Sequence, residues 1–193
     1  MKKITSLLLF AGFLTIAGQA QSDKRLTERL DSVMLFTQKL DIDRLLDFTY
    51  PKLFTIAPRN AMKEVMEGSF HTDEFDITLD SVITDVVFPI FTSGDGKYAK
   101  VLHNMLLRMK FKEEMSGERT EELLSTMKEN MGTPDIRFEK ATNTIVIRKL
   151  ATIVAVKDEL SPEWTFVNYD ETSPVAEMLF SAEIIEKLRE YKK

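Results

Sequence analysis

Between Tyr98 and Lys112 apolar and polar residues alternate more cleanly than anywhere else in the chain. Ala99, Val101, His103, Met105, Leu107, Met109 and Phe111 share one phase, and Lys100, Asn104, Arg108 and Lys110 share the other. Successive strand side chains point to opposite faces, so this spacing predicts a long β-strand with one wet face. Such a strand needs partners. The first precedes it: Phe75 to Phe91 is strand-like, with Phe75, Ile77, Leu79 and Ile83 on one phase, and Ser93-Gly94-Asp95-Gly96 supplies the turn. Pro89 marks an edge or a bulge. Further partners follow in Asp135 to Lys140, Thr144 to Lys157 and Trp164 to Tyr169, rich in Val, Ile, Thr and aromatic residues. Arg148 and Lys149 are adjacent, so neither phase of that fourth run stays apolar, and a bulge near Arg148 is the expected remedy.

A sheet with an apolar face must be covered, and the remaining sequence supplies helices for that task. From Ser22 to Leu40, Leu26, Leu30, Val33 and Thr37 recur at helical spacing. Asp41 caps a short second helix that Pro51 interrupts. Pro58 opens a third, carrying Ala61, Met62, Val65 and Met66, with Gly68 as its expected terminator. Glu118 to Met131 predicts a helix closed by Gly132 and Pro134, placed to cover an end or an opening of the sheet. Beyond Pro174, Ile184, Ile185 and Leu188 form the apolar side of a last helix capped by Ser181. The reading is one α+β domain over residues 21–193, a curved antiparallel sheet with N-terminal helices packed on its concave face.

Residues 1–20 are set apart. Lys2 and Lys3 precede the apolar run Ile4 to Ile16, and Gly18-Gln19-Ala20 offers small residues at a cleavage site, which predicts a signal peptide cut after Ala20. The apolar run is shorter than the roughly 20 residues a membrane-spanning helix needs. The expected location is periplasmic or secreted, with no stable membrane insertion after cleavage. Cysteine is absent, which excludes a disulfide framework and a lipid-modified cysteine after the leader. Loss of the leader's two lysines moves the formal charge from −5 to −7. An acidic chain without clustered Lys and Arg excludes nucleic acid as the expected partner.

Leu40 to Gly68, LDIDRLLDFTYPKLFTIAPRNAMKEVMEG, resembles the helix-loop-helix that lines the cone of the nuclear-transport-factor-2-like superfamily, and Glu163 to Asp170, EWTFVNYD, resembles a late strand of that α+β roll. In element order the resemblance covers most of the chain after residue 20, including a long strand hairpin and a closing meander. It implies a strongly curved sheet with helices on the concave face and an apolar pocket at the open end. Enzymes of the superfamily place an acid, or an Asp-His pair with Tyr, in that pocket. Those positions have no residue-by-residue match in this sequence. Other members bind without catalysis or dimerise through the sheet face.

His103 is the sharpest candidate for chemistry, an imidazole in the middle of an apolar phase where a carboxylate neighbour would make it a general base. Its bland alternative is a core histidine or one on a dimer-forming sheet face. Tyr50, Phe54, Tyr98 and Trp164 are the candidate lining of an apolar ligand pocket, and Tyr169 shares their character. His71, followed by Thr72, Asp73 and Glu74, is a weak metal signal, since no second histidine lies nearby. Asp41, Asp43 and Asp47 lie along one short helix but lack a glycine-punctuated calcium loop. No phosphate-cradling glycine loop, nucleophile elbow or zinc-protease motif occurs. The sequence therefore predicts an exported, non-catalytic protein without a cofactor, binding a small apolar ligand or forming a homodimer. Two other classes remain. One is a pocket enzyme of isomerase or dehydratase type with His103 as base; the other is an inhibitor or complex subunit acting through a loop such as Thr92 to Lys97.

Overall fold

The structure, a computed structural model, describes residues 23–192. The proposed leader and its cleavage point lie outside the described residues. Among the described residues six α-helices and six strands follow in the order α1 (Lys24–Lys39), α2 (Ile42–Asp47), α3 (Arg59–Phe70), β1 (Phe75–Val87), β2 (Phe91–Ser93), β3 (Gly96–Phe111), α4 (Gly117–Met131), β4 (Ile136–Glu139), β5 (Thr144–Asp158), β6 (Ser161–Asn168), α5 (Pro174–Leu179) and α6 (Ala182–Glu190). All strand pairs are antiparallel. The sheet is curved and open, so the expected α+β class with N-terminal helices stands.

β3 is the centre, flanked by β1 on one side and by β5 on the other. β2 continues the β1 side beyond the break at Pro89, pairing with Gly96 to Tyr98. β4 and β6 share the outer edge of β5, β4 along Thr144 to Ile147 and β6 along Ile153 to Asp158. The β5–β6 connection is a tight turn through Glu159 and Leu160, so β6 starts at Ser161, ahead of the Trp164 start read from the sequence. The pairing of β3 with β5 runs unbroken from Lys97–Lys157 to Lys110–Thr144, so the bulge expected near Arg148 is absent.

Two shifts of register lie in β1 instead, between Leu79 and Ser81 and again between Thr84 and Val86, and a third separates Val156 from Asp158 where β5 meets β6. One extra residue reverses the facing of everything after it. Phe75, Ile77 and Leu79 oppose Phe111, Met109 and Leu107, but past Asp80 it is Val82 and Thr84 that oppose Met105 and His103. Ile83 leaves the apolar phase assigned to it from the sequence and stands 61% exposed. The residues at the two shifts, Asp80 and Asp85, also place charge on an edge strand, which discourages pairing with another edge.

Each face of the sheet is covered in part. Over the face of Ala99 and Val101, α1 packs Leu26, Leu30, Val33 and Met34 against Val82, Ile153, Ala155, Trp164 and Phe166. Lower on that same face, α4 lays Leu123, Leu124, Met127 and Met131 over Phe111, Ile145 and Ile147. On the opposite face α5 and α6 close over Tyr98, Val154, Val156 and Val167 with Leu179, Ile185 and Leu188. This division explains Arg148 and Lys149. Neither phase of β5 needs to be apolar throughout, because no one element covers either face along its whole length.

The N-terminal helix is fixed at both ends. Asp23 caps it, accepting from the N–H groups of Arg25 and Leu26, and its other carboxylate oxygen accepts from Trp164 Nε1 at 2.9 Å. Burial works against ionisation of Asp23, but the hydrogen bonds from Trp164, Leu26 and Arg25 outweigh it and hold the carboxyl below its usual range. Arg25 pairs with Glu163 at 2.8 Å, and Arg29 donates to the Trp164 carbonyl. At the far end Gln38 donates to the Asp80 carbonyl. α3 runs on through Gly68 to Phe70, two residues past its expected end, and none of its residues is buried.

Candidate functional site

The two β1 bulges decide what surrounds His103. They set Thr84 directly across from it on β1, while Ala151 flanks it on β5. His103 is 4% exposed, inside the apolar face that α1 covers. Its Nδ1 and the Thr84 hydroxyl are both buried and both lack a hydrogen-bond partner. Burial pushes the imidazole pKa down, so the neutral ring is favoured at neutral pH. A general base needs reach to a substrate and gains from a carboxylate behind it. His103 has an apolar roof and a hydroxyl.

The four aromatic residues assigned to one pocket are divided between the two faces. Tyr50 and Tyr98 belong to the core under α5 and α6, linked through Phe180 at ring-centroid distances of 6.3 Å each. Trp164 is fully buried under α1 on the other face. Phe54, in a 3-10 turn over Pro51–Thr55, packs beneath the Arg59 guanidinium at 5.9 Å. Alternation along β6 produces the separation: Trp164 and Phe166 point to one face, Thr165 and Val167 to the other. Tyr50 donates to Asp158 at 2.6 Å, tying the segment after α2 to the β5–β6 turn, and burial followed by this bond raises its pKa. Tyr169, on the Tyr50 face, keeps a buried hydroxyl without a partner.

The acids and His71 hold other bonds. Asp41 caps α2, Asp43 takes Lys63 at 2.7 Å, Asp47 takes Arg59 at 2.7 Å, and His71 meets Asp76 at 3.0 Å. Among the described residues no group of His, Asp and Glu is arranged to hold a metal ion. α3 carries a shallow apolar groove of about 250 Å³ lined by Ala57, Ala61, Met62, Val65 and Met66. Nothing in the structure shows what covers it.

A feature the sequence reading missed lies on the sheet face that α5 and α6 only half cover. The register places Ile83, Asn104 and Leu150 in one row across β1, β3 and β5, and Ser81, Leu106 and Arg148 in the next. Ile83 is 61% and Leu150 44% exposed, with Asn104 and Leu106 half-buried between them. Below this band an ionic chain crosses the sheet from Asp80 through Arg108 to Glu139 at 2.8 Å, on to Arg137 at 3.2 Å, and by Asp135 to Arg148 at 3.7 Å. The signal was present but inverted. Ile83 looked like core until the bulge at Asp80 turned it outward.

Among the described residues no helix is long and apolar enough to cross a membrane. Comparison of the chain with protein-family models, with curated proteins and with solved structures finds no match.

Proposed function

We propose that this chain is an exported, non-catalytic roll protein of nuclear-transport-factor-2-like type that works by pairing with a second copy through the uncovered band of its sheet. The observation that carries this reading is the exposed row of Ile83 and Leu150 on a face that helices leave half bare. The band is complementary to itself. A two-fold axis lying along β3 lays β1 of one copy over β5 of the other, so Ile83 meets Leu150, and the Asp80 end of one copy's ionic chain meets the Arg148 end of the other's. Closed pairing of this kind joins apolar to apolar and acid to base at every repeat of the contact. The general-base alternative is weaker, because His103 lies under an apolar cover with no carboxylate bonded to it. A pocket for a small apolar ligand draws no support from Tyr50, Tyr98 and Trp164, which fill two separate cores.

Sedimentation velocity on the purified chain from residue 21 tests the proposal. The expected result is a monomer–dimer equilibrium in the micromolar range, moved to monomer by Ile83→Lys without loss of the melting transition, since Ile83 supports no core. A wild-type chain that stays monomeric at several hundred micromolar overturns it.

A further inference from the structure

His103 carries a buried Nδ1 without a hydrogen-bond partner, among neighbours that offer a positive charge nothing in place of water. Along and across the strands its same-face neighbours are Val101, Met105, Val82, Thr84 and Ala151, and the buried residues of α1, Leu26, Leu30, Val33 and Met34, join this cluster. The charged groups of the packed elements face elsewhere or stand a row away. Arg25 and Arg29 of α1 bond to Glu163 and to the Trp164 carbonyl, Asp85 sits in the β1 bulge, and Lys149, itself a cation, opposes Met105 on β5. The one polar group across from the ring, the Thr84 hydroxyl, makes no bond to it.

We propose that His103 is an acid-sensitive latch for α1: while the ring is neutral the helix stays seated on the sheet, and when the ring takes a proton the helix lifts and the apolar face beneath it opens to water. An unpaired cation in such a setting is among the costliest things a core can hold. Opening lets water reach the ring and removes that cost. The direction of the pH dependence follows from burial. The ring's pKa in the folded state is pushed below its ordinary value of 6.5, so the docked state binds fewer protons than the open one. Docking is at full strength above pH 6.5 and weakens as pH falls below it, by up to about tenfold in the equilibrium constant per pH unit, until the docked-state pKa is reached. This window lies above the range in which the carboxylates of Asp23 and Glu163 protonate, since both are held below their usual values.

The chain carries its own reporter. Trp164 is the only tryptophan, is fully buried under the start of α1, and donates to the Asp23 cap. Its emission is to be followed from pH 7.5 to 4.5 in the purified protein, in His103→Met and in His103→Gln, with amide exchange of α1 recorded in parallel. The wild type is expected to shift to the red with the slope of a single proton while α1 amides lose protection, and both variants are expected to stay flat across the window. The His103→Gln variant keeps a polar side chain and decides the matter if His103→Met fails to fold. A red shift that persists in either folded variant, or a wild-type emission that does not move down to pH 4.5, overturns the latch.

Discussion

Replacing Thr84 by Val should stabilise this protein, an outcome opposite in sign to that of most core substitutions. The two side chains have nearly the same shape, so the change removes a hydroxyl and little else. In the folded chain that hydroxyl is buried and unbonded, with His103 opposite it and Val82 two residues before. A hydroxyl taken from water without a replacement partner costs about 1–3 kcal/mol by mutational measures. Thr84 is only half-buried as a whole, which places the expected gain at about 1–2 kcal/mol. For a chain of this length each kcal/mol moves the melting temperature by about 2–4 °C, so Tm should rise by roughly 2–8 °C. The control is the same substitution at Thr165, whose buried hydroxyl bonds to Ser161 Oγ at 2.9 Å and donates to the Val156 carbonyl at 3.3 Å. Thr165→Val should cost about 1–2 kcal/mol. Equilibrium urea unfolding of both variants at pH 7.5, with m-values compared, reads the two signs directly. If Thr84→Val is destabilised as Thr165→Val is, the Thr84 hydroxyl has a partner and the account of the His103 environment is refuted.

Two further substitutions test how the face under α5 and α6 is held. Tyr50→Phe removes a 2.6 Å bond to the Asp158 carboxylate, which among the described residues keeps the Ser161 N–H. Bonds to charged groups contribute roughly 1.5–3 kcal/mol, and because Asp158 stays half-exposed to water the low end is expected, read as a lower urea midpoint at unchanged m-value. Gly96→Ala brings a methyl carbon to a position lying within 2.8 Å of the Tyr98 ring, which is stacked on Phe91 and cannot swing aside freely. Overpacking of this kind costs about 1–3 kcal/mol, and a thermal melt that matches wild type would mean that the ring moves.

Much of the architecture could be read from residue spacing, because the cues were local. The alternation through Tyr98 to Phe111 is the pleat of β3, Asp41 and Ser181 do cap α2 and α6, and the positive φ of 61° at Gly132 ends α4 as a glycine there should. What failed was decided at a distance. The bulge at Asp80 depends on how β1 meets β3, and nothing near Ile83 in sequence discloses that its facing reverses. Mixed facing in β5 arises from covers that change along its length, α1 and α4 on one side and α5 with α6 on the other. α3 continues through Gly68, and none of its residues is buried. Of the site, the apolar phase that holds His103 could be read from the alternation of β3, while its neighbours and the split of the aromatic residues between two faces needed the register of β6 and β3.

The pairing of two copies is tested most directly by complementation. Ile83→Lys and Leu150→Glu each spoil both contacts of the proposed dimer when the chain meets only itself. An equimolar mixture of the two variants can form a dimer with one native contact and one new pair of opposite charges. Sedimentation velocity at low salt should therefore find each variant alone as monomer and the mixture as dimer, with added salt weakening the mixed dimer by screening the new pair. A mixture that remains monomeric while the wild type dimerises would place the interface elsewhere, and a wild type that never dimerises would contradict the account at its centre.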